Sequence, residues 1–187
     1  IGVVTVIGDD HLRAYDSREA LAAEIEKLVS ALPPTGTAVL NADDPLVIAM
    51  TRNCKARILT FGTAETADLR AESVRSEWPG RLRMTVHFES VQVLVETQLC
   101  GVHWLPSVLG AIGAALAIGV SLEECARGVA ATTPFEGRMQ PISTPDGITF
   151  IRDDFKAPFW SLDAGFEFMK TARAKRKIIV FGELSHI

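Results

Sequence analysis

The first third of the chain alternates between short β-branched runs and longer stretches with apolar residues at helical spacing. Residues 3–7 form an unbroken β-branched run, which is typical of a strand buried on both faces. Asp44 is a favoured N-cap residue, and Pro45 suits the first helical position. The pattern predicts strands at residues 3–7, 37–40 and 56–61 and helices at residues 19–32 and 46–52. Because strands and helices alternate, we expect a parallel sheet with crossover connections.

The pattern changes after Gly62, where apolar and polar residues alternate one by one. Residues 68–78 and 81–88 follow this period of two and meet at Pro79-Gly80, which predicts a β-hairpin. Residues 91–99 predict a third strand beside it. We therefore expect an antiparallel patch next to the parallel sheet.

Helical spacing returns after residue 100. Gly110 and Gly113 lie within one predicted helix and would let another element approach it closely. Ser121 is followed by Glu124, which indicates a capped helix start. The predicted elements are helices at residues 105–118, 121–131 and 161–173, a hairpin at residues 139–142 and 148–151, and a strand at residues 178–181. The loop at residues 132–138 is the expected boundary between two α/β domains.

Composition narrows the class of protein. Of 187 residues, 48% are hydrophobic and 22% are charged, which is typical of a globular protein with a substantial core. The net charge is −4 without a basic block, so no nucleic-acid partner is expected. The apolar run near residues 105–120 is too short and too interrupted by glycine to predict a membrane span, and no signal peptide is visible. Three widely spaced cysteines favour a reducing cytoplasm. The chain begins and ends in strand-like runs, so we expect a fragment of a longer protein.

The segment 153–161 is the first candidate for a ligand site. Asp153, Asp154 and Lys156 lie between a predicted strand and a predicted helix. In α/β proteins ligands bind at the carboxyl ends of strands, and the start of a helix offers backbone N–H groups to phosphate. A turn with a solvated lysine explains the same residues equally well.

Five motifs, taken in order, resemble those of the Mur ligase family, and the branch that adds the D-Ala-D-Ala dipeptide is the most similar. They cover nearly the whole chain. The matching segments are TVIGDDHL at residues 5–12, SREALA at 17–22 with AVLNADDP at 38–45, GVHW at 101–104, GR at 137–138 and DDFKAP at 153–158.

The resemblance implies a ligase that uses ATP to convert a substrate carboxylate into an acyl phosphate, which an incoming amine attacks. The expected partners are small molecules, namely a carboxylate acceptor of the peptidoglycan-precursor type and an amino acid or dipeptide. Residues 1–135 would be the C-terminal part of the central ATP-binding domain, and residues 136–187 the start of a Rossmann-like C-terminal domain. By family pattern the site residues are His11 for Mg²⁺, His103, Arg138, Asp153 and Asp154 for the nucleotide, and Lys156 at the transferred phosphate.

The chain also departs from the family pattern. No G-x-x-x-x-G-K-[ST] phosphate loop is present, and we expect it to precede residue 1. The window of the family's carbamylated lysine holds Ile25 and Glu26. Trp104 and Ser107 replace asparagines of the histidine motif, and the last motif has Phe155, Lys156 and Pro158 where the family has tyrosine and asparagines. Two alternatives stay open: a folylpolyglutamate-synthase-like or poly-amino-acid ligase, and a non-catalytic nucleotide-binding module.

Overall fold

The computed structural model describes residues 1–9, 14–156 and 159–182. Eight strands and five α-helices are found in these ranges. The strands are β1 (Gly2–Val4), β2 (Thr37–Asn41), β3 (Arg57–Gly62), β4 (Leu69–Arg75), β5 (Arg83–Phe88), β6 (Val91–Glu96), β7 (Gln140–Ser143) and β8 (Thr149–Arg152). The helices are α1 (Arg18–Ser30), α2 (Pro45–Ala49), α3 (Leu105–Ala117), α4 (Leu122–Ala131) and α5 (Leu162–Thr171), with 3-10 turns at Met50–Asn53, Val102–Trp104 and Phe159–Ser161.

Strands β1 to β6 form a single sheet in chain order. The pairs from β1 to β4 are parallel, whereas β4, β5 and β6 are antiparallel. Strands β7 and β8 form a separate antiparallel hairpin. The expected α/β fold, with a parallel sheet and an antiparallel patch, is thus confirmed.

The sheet carries a core on each face, because successive side chains of a strand point to opposite sides. Ala38 and Leu40 of β2 belong to the core on the side of α1 and α2, and Val39 belongs to the core on the side of α3 and α4. Asp44 caps α2 by accepting hydrogen bonds from the Leu46 and Val47 backbone N–H groups at 2.9 and 3.2 Å. The predicted helix starts are confirmed here and at Ser121, where Glu124 completes a capping box.

Glycines allow α3 to lie directly on the sheet. A Cβ atom at Gly113 would lie 2.6 Å from Cγ1 of Val39, and one at Gly110 would lie 3.1 Å from Cγ2 of Thr5. Both distances are shorter than ordinary van der Waals contact. The close approach expected from the two glycines is therefore confirmed.

Replacing Gly113 by alanine is expected to destabilise the fold by about 1–3 kcal/mol, because the added methyl group overpacks the core. Gly128 of α4 is the matched control, since a Cβ there meets no atom within 4 Å. Gly128→Ala is expected to stabilise the chain by about 0.5–1 kcal/mol through helix propensity. Urea denaturation of both variants measures the difference, and equal midpoints would contradict the packing argument.

A third apolar cluster joins the second hairpin and α5 to the antiparallel patch. Cys100, Met139 and Phe168 are buried together, and Trp78 and Ile151 pack against them. Near this cluster the Arg173 backbone N–H donates to the Trp78 carbonyl at 2.9 Å. The Arg173 guanidinium also pairs with Glu77 at 2.7 Å. Residues on both sides of the expected domain boundary are thus in direct contact.

One predicted strand is absent. Residues 178–181 have no regular secondary structure, and their side chains are largely exposed. A strand needs a hydrogen-bonded neighbour, and in the described part of the chain β7 and β8 pair only with each other. The prediction of a strand at residues 178–181 was therefore wrong, because an apolar run alone does not provide a neighbouring strand.

Among the described residues, none of the helices is long and apolar enough to cross a membrane.

Candidate functional site

His103 lies in the 3-10 turn between the antiparallel patch and α3. Its imidazole covers the Cα of Gly101, so a side chain at Gly101 would collide with the ring. Gly101 has a φ of +103° and donates its backbone N–H to Oγ of Ser76 at 2.8 Å. Glycine is the residue that adopts this conformation without steric cost. The Gly-x-His spacing of the sequence thus has a local structural cause.

Asp153 connects the end of the second hairpin to the loop after Gly137. Its Oδ1 accepts a hydrogen bond from the Met139 backbone N–H at 3.2 Å. Partial loss of hydration lowers the pKa of His103. The negative charge of Asp153 opposes this shift, because it favours the imidazolium. His103 keeps substantial solvent exposure even so. The two residues therefore interact electrostatically across the predicted domain boundary.

Arg138 is held against an aromatic side chain. Its guanidinium carbon lies 4.5 Å from the ring centroid of Phe155, a cation–π geometry. Phe155 in turn meets Phe135 edge-on, with centroids 5.6 Å apart. The Phe155 backbone N–H donates to the Gly137 carbonyl at 3.0 Å. The two separated motifs, GR and DDFKAP, are thereby packed into one unit.

Asp154 has a different hydrogen-bond partner from Asp153. Both its oxygens accept from the Arg152 guanidinium at 3.1–3.3 Å, and Arg152 also reaches Glu136 at 3.4 Å. This exposed pair contributes little to stability. Lys156 is partly buried next to Phe155.

A cavity of about 430 Å³ opens beside the two aspartates. Its volume lies within the range of small-molecule sites. Asp153 and Asp154 supply acceptor oxygens, whereas α5 and the hairpin supply mainly apolar walls. These walls include Met139, Ile151, Phe166 and Phe168. Carboxylates beside an apolar wall suit a ligand with hydroxyl groups and a flat apolar part. His103 and Arg138 do not line this cavity.

The predicted metal residue, His11, lies outside the described residues. Two positions earlier in the sequence, both oxygens of Asp9 accept from the Arg18 guanidinium at 2.5 and 2.6 Å. Hydrogen bonding to Arg18 is the main reason that the pKa of Asp9 is lowered, because it stabilises the charged carboxylate. Within residues 1–9, 14–156 and 159–182 no three His, Cys, Asp or Glu side chains converge on a possible metal site.

The NADDP segment has a structural role at the carboxyl ends of the parallel strands. Asp43 accepts from the backbone N–H groups of Thr63 and Ala64 at 2.7 and 2.9 Å. Asp44 accepts from the Ile7 backbone N–H at 2.8 Å in addition to capping α2. These two carboxylates connect the chain after β1, β2 and β3 by accepting hydrogen bonds from backbone N–H groups.

Two of the departures from the family pattern have identifiable surroundings. Glu26 accepts from the Asn53 side-chain amide at 2.9 Å, so it forms a surface contact between α1 and the 3-10 turn after α2. Trp104 packs against the core beneath α3, and its indole Nε1 is buried without a hydrogen-bond partner among the described residues.

Several contacts were missed by reasoning from the sequence. They are the pairing of Arg152 with Asp154, the stacking of Arg138 on Phe155, and the contact of Arg173 with the Trp78 loop. The spacing of Arg152 and Asp154 was a usable local signal. The other two contacts join distant segments and leave no signal in a single sequence.

Comparison with known proteins gives the family and the fold of the chain. Residues 1–115 match the family model described as the Mur ligase middle domain. A UDP-N-acetylmuramoyl-tripeptide--D-alanyl-D-alanine ligase from Mycobacterium bovis is 34% identical over the whole chain, and a Mycobacterium tuberculosis ligase of the same name is equally similar. A UDP-N-acetylmuramate--L-alanine ligase from Salinibacter ruber is 29% identical over 82% of the chain and 32% of the relative. The chain spans 38% of the length of either mycobacterial relative.

Solved structures show the same fold. MurF from Acinetobacter baumannii superimposes with a TM-score of 0.81 at 24% identity, over 90% of this chain and 37% of that protein. A UDP-N-acetylmuramoyl-L-alanyl-D-glutamate--2,6-diaminopimelate ligase superimposes with a TM-score of 0.74, over 92% of this chain and 36% of that protein.

Proposed function

The chain belongs to the Mur ligase family, and from this premise we propose that it supplies part of the nucleotide cleft of an ATP-dependent amide-forming ligase. ATP would supply the phosphoryl group that activates a substrate carboxylate as an acyl phosphate. By the names of its relatives, the acceptor is a UDP-N-acetylmuramoyl peptide and the incoming amine is D-alanyl-D-alanine. These substrates and a cytoplasmic location belong to the proposal.

The position of Asp153 is the observation that carries it. Asp153 interacts electrostatically with His103, holds the Met139 backbone and lines the 430 Å³ cavity. Carboxylate oxygens accept hydrogen bonds from ribose hydroxyls. Asp153 and Asp154 are therefore assigned to the ribose, and the apolar wall of the cavity is assigned to the base.

The cationic residues are assigned to the phosphates. Arg138 is oriented by Phe155 and presents a planar donor group, which suits phosphate oxygens. Lys156 follows in the same segment and is assigned to the transferred phosphate, where a cation stabilises developing charge. His103 is assigned to the nucleotide cleft on the family pattern, since it does not line the 430 Å³ cavity. His11 is assigned to Mg²⁺ on the family pattern alone.

The domain boundary is part of the same proposal. Residues 1–135 would complete the central domain, and residues 136–187 would begin the C-terminal domain. The separate β7–β8 hairpin supports this division. Closure of two domains over a nucleotide excludes water from the reacting phosphate.

Phosphate release by the full-length protein tests the activity. We expect release to require ATP, Mg²⁺, UDP-N-acetylmuramoyl-tripeptide and D-alanyl-D-alanine together. The 187-residue chain alone should not turn over ATP, because it contains no phosphate loop. Turnover with folate and glutamate instead would favour the polyglutamate-type ligase.

A non-catalytic nucleotide-binding module is the second candidate. This candidate is favoured by Glu26, which lies in the window of the family's carbamylated lysine. Glu26 accepts a hydrogen bond from the Asn53 side chain instead. Binding of ATP to the full-length protein without phosphate release under any substrate combination would support this candidate over the ligase.

A further inference from the structure

A second concave surface lies at the end of the antiparallel patch, where β4, β5 and β6 meet the loop at residues 77–82. It has a volume of about 610 Å³ and is called the arginine groove here. Its charged lining consists of four arginines and two glutamates: Arg75, Arg81, Arg83, Arg173, Glu77 and Glu96. Excess positive charge is notable on a chain whose net charge is −4. None of the described residues that line the groove also lines the Asp153 cavity.

Two of these arginines lie directly opposite each other on neighbouring strands. Arg75 of β4 is the register partner of Arg83 of β5, and a bulge after Glu72 sets this alignment. Like charges directly opposite on neighbouring strands destabilise a sheet. Glu96 is the register partner of Arg83 on β6. In the described part of the chain, however, neither Arg75 nor Arg83 has a carboxylate within 4 Å of its guanidinium.

The other two arginines contact groups of the protein. The Arg81 guanidinium stacks 4.3 Å from the Trp78 ring centroid and donates to the Pro79 carbonyl at 2.6 Å. Arg173 is held by its ion pair with Glu77 and by its backbone hydrogen bond to Trp78. Because the Arg81 guanidinium is already held by Trp78 and Pro79, it would lose little conformational entropy on binding an anion.

We propose that the arginine groove binds a small phosphate-bearing anion between Arg75 and Arg83, with Arg81 at its side. Guanidinium groups bind phosphate oxygens through paired, charge-assisted hydrogen bonds. An anion there relieves the repulsion between the two facing arginines. This site is separate from the nucleotide cleft proposed above and does not depend on it.

Calorimetric titration of the chain with inorganic pyrophosphate, without Mg²⁺, tests the site. We expect saturable binding that Arg83→Gln and Arg75→Gln each weaken roughly tenfold, as expected for the loss of a charged hydrogen bond. Glu96→Gln removes a nearby negative charge and should tighten binding. The control is Arg57→Gln, which removes the same charge from an exposed position at the start of β3. A parallel titration with sulfate tests whether a single tetrahedral dianion suffices.

All four variants alter exposed strand positions, and circular dichroism confirms that each is folded before titration. The proposal is overturned if pyrophosphate does not bind saturably. It is also overturned if Arg57→Gln weakens binding as much as Arg83→Gln does, or if the groove variants leave binding unchanged. The last result would place the pyrophosphate elsewhere, for instance at the nucleotide cleft.

Discussion

Replacing Asp153 by alanine is expected to weaken ATP binding to the full-length protein by roughly tenfold to a hundredfold. The variant removes the carboxylate assigned to the ribose hydroxyls, and it leaves the Met139 backbone N–H without its acceptor. Isothermal calorimetry measures the change in affinity. Asp163→Ala is the control, because Asp163 is an exposed carboxylate in the first turn of the neighbouring helix α5.

Asp153→Asn separates the charge of the side chain from its hydrogen bonding. The amide oxygen can still accept from Met139, but the negative charge near His103 is lost. Because that charge raises the pKa of His103 against the effect of burial, the variant should lower this pKa further. Titration of the imidazole by NMR measures the shift. Unchanged ATP affinity in Asp153→Ala would remove Asp153 from the nucleotide site, whatever the behaviour of His103.

The regular elements were predictable from the sequence because their signals are local. The β-branched runs, the period of two after Gly62, and the caps at Asp44 and Ser121 each describe a few neighbouring residues, and the structure has an element at these positions. The first strand is shorter than predicted, because β1 ends at Val4 and Val6 is 57% exposed. The run at residues 178–181 has the same local signal as β1. It is not a strand, since strand formation depends on a neighbour that no local pattern specifies.

The candidate site was predictable only as a set of residues in order along the chain. Asp153, Arg138 and His103 are each ordinary in their own segment, and the family pattern was what singled them out. Their partners depend on tertiary packing. Phe155 stacks against Arg138, and Arg152 forms an ion pair with Asp154. Asp153 and Asp154 are adjacent and chemically identical, but only the structure shows that they have different partners.

The second large effect is expected at Phe168, the aromatic residue of α5 that closes the third apolar cluster. Phe168 is 4% exposed and packs with Cys100 and Met139. Phe168→Ala should lower the free energy of unfolding by about 3–5 kcal/mol, because loss of the ring leaves a cavity that its neighbours cannot fill. Phe166→Ala is the matched control in the same helix. Phe166 is 39% exposed and meets Phe181 edge-on, so its loss should cost only about 1 kcal/mol.

Urea denaturation measures both costs, and hydrogen exchange shows where the loss occurs. The Arg173 backbone N–H donates to the Trp78 carbonyl across the predicted domain boundary. If Phe168 holds α5 against the antiparallel patch, Phe168→Ala should remove protection at this amide while the amides of β2 remain protected. Phe168→Leu restores part of the packing and should restore part of the protection. Equal losses of stability in the Phe168→Ala and Phe166→Ala variants would mean that the cluster does not join the two parts of the chain. Domain closure over a nucleotide would then have to rely on the polar contacts of Arg173 and Asp153.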